Sequence, residues 1–203
     1  MKKIIQFFSL LILTLFLTSN TAPSIIYASE INKSINEQQQ LQQTINEIEQ
    51  KLEQPLQLSE TELNTLIQEK RLQYPDLTEE QMREIAYKAL SPYSTRGSIW
   101  DGQGVTLNEF AFAFDVIVSS LLGGIGSIPQ YAAKKGLAAT KAMLSRAAVA
   151  AAKRVGVYAG IIPGILAGLF NVLNIYGSLG YAVAKYIDAR DYHPNNGRIN
   201  VWA

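Results

Sequence analysis

The chain has 203 residues, with 18 Lys and Arg, 17 Asp and Glu, one His and no Cys, and its mean hydropathy is +0.05. This length allows one domain, or one main domain with an appendage. The net charge of +1 argues against a general polyanion binder, which would carry a strong basic excess. The lack of Cys excludes disulfides, thiol nucleophiles and Cys-ligated metals, and a single His leaves most zinc hydrolase sites without ligands.

The N-terminus has the layout of a secretory signal peptide. Residues 1–3 are a short positive region, residues 4–17 are almost wholly apolar, and a polar stretch ends in the small residue Ala28. We therefore expect residues 1–28 to be a signal peptide that is cleaved after Ala28, and the mature protein to be secreted. An uncleaved N-terminal anchor is the alternative, but the apolar region is short for a membrane span.

The mature chain divides into two regions of opposite charge. Residues 30–90 contain 12 acidic and 6 basic side chains, a net charge of −6, whereas residues 91–203 contain 5 acidic and 10 basic ones, a net charge of +5. We predict an acidic, Gln-rich helical region over residues 29–92, a Gly-rich linker over residues 93–105, and an apolar, basic helical domain over residues 106–203. Either the back half meets a negative surface such as a lipid bilayer, or the two halves neutralise each other within one fold.

The front half carries clear helix signals. Residues spaced three or four apart from Ile31 to Leu52, all apolar except Gln38, predict an amphipathic helix over residues 31–53. Three capping boxes, each a hydroxyl residue followed three positions later by Glu or Gln, mark further helix starts. These pairs are Ser59 with Glu62, Thr78 with Gln81, and Thr106 with Glu109. They predict helices over residues 60–72 and 79–90, and a third that opens the back half.

Residues 129–159 are predicted to form one Ala-rich helix with a basic face opposite an apolar face. All its basic residues except Arg154 fall within about 140° of arc on a helical wheel. The basic residues are Lys134, Lys135, Lys141, Arg146, Lys153 and Arg154. This pattern is typical of a helix that lies in a lipid interface, so we predict that these six residues dock on a membrane. A surface helix whose basic residues simply face water is the alternative.

The next segment, residues 155–184, contains no charged residue and exceeds the ~20 residues that cross a bilayer. Within it Gly156, Gly160, Gly164 and Gly168 recur at every fourth position, a spacing that lets helices approach closely in membranes. Pro163 interrupts the run. We predict a helical hairpin that is buried in the water-soluble form and that inserts, through these glycines, in a target-bound form.

Together these patterns predict an all-α fold. Amphipathic helices would surround the hydrophobic, Gly-rich hairpin, and a short extended tail would end the chain, because Ile199 and Val201 alternate with polar residues.

Asp188, Asp191 and His193 are the one place where titratable groups cluster near the single His. A metal site or a general base is the minor interpretation of this cluster, because charges at a helix end give the same pattern. No spacing in the chain matches a catalytic or phosphate-binding motif. We therefore predict no enzyme, and no catalytic, cofactor-binding or metal-binding residues.

The back half resembles the large secreted, non-lytic bacteriocins of Gram-positive bacteria, of the streptococcin and dysgalacticin type. The likeness rests on the apolar, Gly-rich residues 156–184 and on the tail at residues 188–200, DARDYHPNNGRIN. Better-known members of that group carry a cysteine pair, which this chain lacks. The resemblance implies killing of related bacteria by disturbance of the cytoplasmic membrane, or of a protein in it, without hydrolysis of the cell wall.

We therefore expect a secreted, membrane-active antibacterial protein. Its expected partner is the anionic membrane, or a membrane protein, of the target cell, and not nucleic acid; the pattern also allows a homo-oligomer on the membrane and a cognate immunity protein. The first alternative is a secreted, non-enzymatic binding or immunity-type protein whose apolar hairpin stays in its core. A weaker one is an enzyme that acts on the cell wall through Asp188, Asp191 and His193.

Overall fold

The computed structural model describes residues 30–92, 104–123, 126–157, 161–166, 169 and 179–200. The fold is all-α, as predicted, with one small two-stranded sheet among the described residues. Two compact units, residues 1–43 and 44–203, make up the chain. The expected signal peptide and most of the expected linker lie outside the described residues, so both stay predictions.

Residues 30–52 are helical (α1), and the boundary between the two units falls within them. The elements that follow are α2 (Glu60–Arg71), α3 (Glu79–Leu90), β1 (Val105–Thr106), α4 (Leu107–Leu122), α5 (Ile128–Lys135), α6 (Leu137–Arg154), α7 (Ile161–Leu166), α8 (Leu179–Asp188) and β2 (Arg198–Ile199).

The described part of the first unit, residues 30–43, is a largely exposed helical segment. Ile31 and Ile35, which begin the predicted apolar stripe, are 53% and 45% exposed. In the second unit the same stripe continues with Ile48, which is buried, and Leu52, which packs against the core.

The predicted capping boxes are present and explain where the front helices start. The hydroxyl of Ser59 accepts the backbone N–H of Glu62, and the Glu62 carboxylate accepts the backbone N–H of Ser59 at 2.8 Å. The pairs at Thr78 and Thr106 repeat this exchange. The predicted ranges 31–53, 60–72 and 79–90 are thus confirmed to within a residue or so, because caps and periodicity are local signals.

Helix α4 occupies the centre of the larger unit, with α3, α6 and α8 packed around it. Of its 16 residues, 12 are buried, including Phe110, Phe112 and Phe114. A helix that is apolar on every side has to be covered on every side, so the other helices surround it. We predicted the Gly-rich hairpin for this central place. Its described residues share the same core, but in the described part of the chain α4 is the central element.

The C-terminal tail folds back onto the start of α4. Strand β2 pairs antiparallel with β1, with Val105 opposite Ile199 and Thr106 opposite Arg198. Ile199 is fully buried, and the Arg198 guanidinium donates to the carbonyl of Gly104 at 3.0 Å. The extended tail is therefore confirmed at residues 198–199, whereas Val201 lies outside the described residues.

Candidate functional site

The predicted basic face is divided between two helices. Lys134 and Lys135 lie in the last turn of α5, and the other four basic residues lie on α6. The helices separate at Gly136, which adopts a φ of +87° that L-residues with side chains rarely take up. The prediction of one continuous helix over residues 129–159 was therefore wrong. The regular helical spacing of the apolar residues on both sides of Gly136 concealed the break at this glycine.

The corner between α5 and α6 is the most accessible part of the basic face. Residues 133–138 are all exposed, and they combine the cations Lys134 and Lys135 with Leu137, which is 51% exposed. Lys153 is also exposed, whereas Lys141 and Arg146 are half-buried. We name residues 133–138 the basic corner. It places two positive charges beside an exposed apolar side chain.

Among the predicted docking residues, Arg146 and Arg154 bind defined partners within the protein. The Arg146 Nε donates to the Glu49 Oε1 at 2.8 Å, so that this ion pair connects α6 to α1. Arg154 is only 4% exposed. Its guanidinium donates to the backbone carbonyls of Ala89, of Leu52 at 2.8 Å and of Gln54 at 3.5 Å.

Arg154 therefore belongs to the core and not to a docking surface. Its three acceptors lie at or near the C-terminal ends of α1 and α3, where helix carbonyls lack intrahelical partners and attract a cation. Burial lowers the pKa of Arg154 to about 10, which keeps the guanidinium charged at neutral pH. We predicted that Arg154 docks on a membrane, and this was wrong. Its buried side chain instead caps the C-terminal ends of two helices.

A groove of about 470 Å³ lies beside Arg154. Charged, polar and apolar residues from α1, from the position just after it and from α6 share its wall with Pro92. They are Glu49, Leu52, Glu53, Ser145, Arg146, Val149, Ala150 and Lys153. This volume is within the range of small-molecule sites, but the mixed charges of the wall favour no single ligand class.

The four glycines do not form one continuous helical face in the described structure. Gly156 follows the end of α6 with a φ of +81°, and Gly164 is an exposed residue of α7. A Cβ built on Gly164 would contact nothing within 4 Å, so none of the described helices packs closely on it. Gly160 and Gly168 lie outside the described residues. Their role in insertion stays a prediction.

The acidic residues near His193 hold the C-terminal tail in place. The Asp188 carboxylate accepts the backbone N–H groups of Asn196 and Gly197, and the Asp191 carboxylate accepts those of His193 and Asn200. Burial raises the pKa of Asp191, although these hydrogen bonds oppose the shift. No group of acidic residues and His suited to a metal ion occurs among the described residues. The two carboxylates thus have a structural role that accounts for their spacing.

The structure also contains a buried polar cluster that we did not predict. The Asp115 carboxylate, in the buried middle of α4, accepts a hydrogen bond from the Tyr74 hydroxyl at 2.8 Å, and its Oδ2 lies 2.8 Å from the Lys70 Nζ. Tyr74 is fully buried, and Asp115 is 8% exposed. We name Lys70, Tyr74 and Asp115 the Asp115 cluster.

Burial is the main cause of the shifted pKa values in the Asp115 cluster. It raises the pKa of Asp115, even though the nearby Lys70 ammonium and the Tyr74 hydroxyl favour the charged form. Burial and the neighbouring Asp115 raise the pKa of Tyr74 too. The sequence did show that Asp115 is the only charge between Glu109 and Lys134, but its partners could not be found, because Tyr74 is 41 residues away.

Helix α8 approaches α4 closely beside this cluster. A Cβ added to Gly180 would lie 2.6 Å from the carbonyl oxygen of Ala111 and 2.7 Å from the Asp115 Oδ1. Only a glycine allows the two helices to come this near, so Gly180 and the Asp115 cluster fix the position of α8 on α4.

Comparison with family models, curated proteins and solved structures finds no match to this chain. Within the described ranges, none of the helices combines the length and the apolar character that a membrane crossing requires.

Proposed function

We propose that the protein is a secreted, non-enzymatic antibacterial toxin that acts on the cytoplasmic membrane of target bacteria. In this proposal the basic corner docks on anionic lipid, and the uncharged segment 155–184 then inserts as a helical hairpin. The observation that carries the proposal is the exposed pair Lys134 and Lys135 beside Leu137, in a chain that also holds 30 uncharged residues in succession.

Docking follows from the charge and shape of the basic corner. A Lys close to an anionic bilayer contributes about 1 kcal/mol of attraction, and an exposed apolar side chain such as Leu137 adds contact with the acyl boundary. The two lysines end α5, and their neighbours from residue 133 to residue 138 are exposed as well. A flat membrane can therefore reach both charges at once.

Insertion would exchange a protein core for a lipid core. The described residues of the uncharged segment are mostly buried, with Ile162, Leu169 and Val183 fully enclosed. Such side chains stay away from water in either environment, so their transfer to lipid loses little apolar burial. A chain that folds in this way can diffuse through water after secretion and still bind to the membrane of its target.

Dye release from vesicles tests the proposal. The mature protein is added to dye-loaded vesicles of phosphatidylglycerol, and to matched vesicles of phosphatidylcholine as the uncharged control. We expect rapid release from the anionic vesicles only, together with depolarisation of sensitive bacteria. A folded protein that sediments with neither vesicle and depolarises no cell would refute the membrane mechanism.

Gly164→Leu separates docking from insertion. The position is exposed and open in the folded protein, so the variant should fold normally. In an oligomeric inserted state a Leu would block close helix packing along the glycine face. We expect unchanged vesicle binding with a strong loss of dye release. The same rate of release as the wild type would show that Gly164 does not pack against another helix in the membrane.

The second candidate is a secreted binding or immunity-type protein whose apolar segment never leaves the core. The complete burial of Ile162, Leu169 and Val183 favours this candidate, because these residues already have a stable packing environment. It predicts a protein that stays monodisperse and ignores vesicles of every composition. Vesicle sedimentation thus distinguishes the two candidates in one measurement.

A further inference from the structure

Beyond its first turn, which holds Glu109, helix α4 carries a single charged residue, Asp115. Between Glu109 and Lys134 there are 24 residues, of which Asp115 alone is charged. The 13 residues of α4 that follow Glu109 would measure about 20 Å at 1.5 Å per residue, about two thirds of the ~30 Å hydrocarbon thickness. A carboxylate at such a depth is costly in lipid, whereas a neutral carboxylic acid is far less so.

We propose that α4 leaves the core with α8 and enters the lipid when Asp115 takes up a proton. This inference rests on the proposed function and identifies a second element that enters the membrane. Helix α8 belongs to the uncharged segment as far as Ala184, and it packs on α4 through the close approach at Gly180. A hairpin that inserts through α8 would therefore draw its nearest neighbour with it.

The surroundings of Asp115 explain how a proton would release α4. The titratable groups that contact it are Lys70 of α2 and Tyr74 from the turn after α2, while α8 presents the backbone of Gly180. The buried cation of α6, Arg154, is bound to the carbonyls of residues 52, 54 and 89. Protonation gives a neutral carboxylic acid, which ends the ion pair with Lys70 and removes the one charge within the apolar part of α4.

The same chemistry predicts that acid alone does not unfold the protein at this site. Because burial raises the pKa of Asp115 in the folded state, its contribution to stability is complete below the ordinary pKa of the unfolded carboxyl and is lost as the pH rises through the folded pKa. Mild acid therefore leaves this cluster folded in water. Lipid has to be present for the neutral helix to move, and acidity near an anionic surface supplies the proton.

A fluorescent label on α4 tests the inference. The chain has no Cys, so Ser119→Cys gives a single labelling site, and Ser119 is only half-buried in the folded protein. An environment-sensitive dye at this position is read in phosphatidylglycerol vesicles with and without brominated acyl chains, at a series of pH values from neutral to acidic. We expect quenching by the brominated chains to be absent at neutral pH and to appear as the pH falls.

Asp115→Asn in the labelled protein should mimic the protonated state. We expect its quenching at neutral pH to match that of the parent at the acidic end of the series, with insertion at neutral pH faster by up to about a hundredfold, the order of the cost of a charged Asp in lipid. Glu84→Gln is the matched control, because it removes a carboxylate from an exposed ion pair with Lys88 on α3. The control should keep the pH dependence of the parent.

The outcomes separate this inference from the proposed function. Vesicle binding and dye release without quenching of the label at any pH of the series would show that α4 stays outside the lipid, which overturns the inference and leaves the proposed function intact. Quenching with the same pH dependence in Asp115→Asn would overturn the role of the proton. No vesicle binding at all would refute both.

Discussion

The buried carboxylate of Asp115 contacts Lys70 and Tyr74, and its removal from water costs free energy that these contacts must offset. Taking a carboxylate out of water costs several kcal/mol, and an ion pair recovers this only with good geometry. The side chain of Lys70 keeps 20% of its exposure, and its Nζ also donates to Gln73, so that it retains partners when Asp115 is neutral. The two members of the pair are thus unequal: the buried carboxylate depends on the ammonium more than the ammonium depends on the carboxylate.

Lys70→Met should therefore be strongly destabilising at neutral pH. It leaves the buried Asp115 without its cation, and removing one partner of such a pair costs about 3 kcal/mol. The pKa of Asp115 should rise further, so the loss should shrink as the pH falls through that value and the carboxylate becomes neutral. Urea unfolding at a series of pH values measures this. Lys185→Met, at an exposed position of α8, is the control and should have little effect.

Asp115→Asn should change the free energy of unfolding by no more than about 1 kcal/mol at neutral pH. The amide oxygen keeps an acceptor for the Tyr74 hydroxyl, and Lys70 can turn to Gln73 and water. A loss as large as that of Lys70→Met in the same urea experiment would contradict the unequal roles of the two residues.

At the scale of single elements, the sequence predicts what local chemistry decides. The boxes at Ser59, Thr78 and Thr106 could be recognised because each cap joins residues three positions apart. The break at Gly136 was missed since one glycine interrupts an otherwise regular pattern. The docking of α8 on α4 could not be predicted at all, because Gly180 and Ala111 meet only through the tertiary fold.

Gly180→Ala should destabilise the packing of α8 on α4. The new Cβ would lie 2.6 Å from the backbone oxygen of Ala111, which cannot turn aside as a side chain can. Overpacking of this kind typically costs about 1–3 kcal/mol. Thermal unfolding followed by circular dichroism measures the loss as a lower Tm.

Gly164→Ala is the matched control for Gly180→Ala. It makes the same chemical change in helix α7, where a Cβ meets nothing within 4 Å. The variant should gain up to about 1 kcal/mol, because alanine loses less conformational entropy in a helix than glycine. A lower Tm for both variants would mean that the close approach at Gly180 is not the cause of the destabilisation in Gly180→Ala.

At the scale of the whole molecule, the front and back halves of opposite charge share a core. Helix α3 of the acidic half packs against α4, and the Glu49–Arg146 ion pair joins the two halves at the surface. The sequence left two uses for its charge asymmetry open, neutralisation within one fold or attraction to a negative surface. Arg146 neutralises an acidic residue within the fold, whereas the exposed lysines of the basic corner remain accessible to a negative surface.

This division of roles predicts which charges govern membrane binding. Replacing Lys134 and Lys135 together by Glu should lower binding to phosphatidylglycerol vesicles by about thirtyfold or more, since each Lys contributes about 1 kcal/mol near an anionic surface. The same charge change at the exposed Lys33 and Lys185 is the control and should have a much smaller effect. Vesicle sedimentation at low salt measures both, and about 1 M salt should abolish the difference by screening. An equal loss in the two double variants would mean that net charge, and not the basic corner, attracts the protein to lipid.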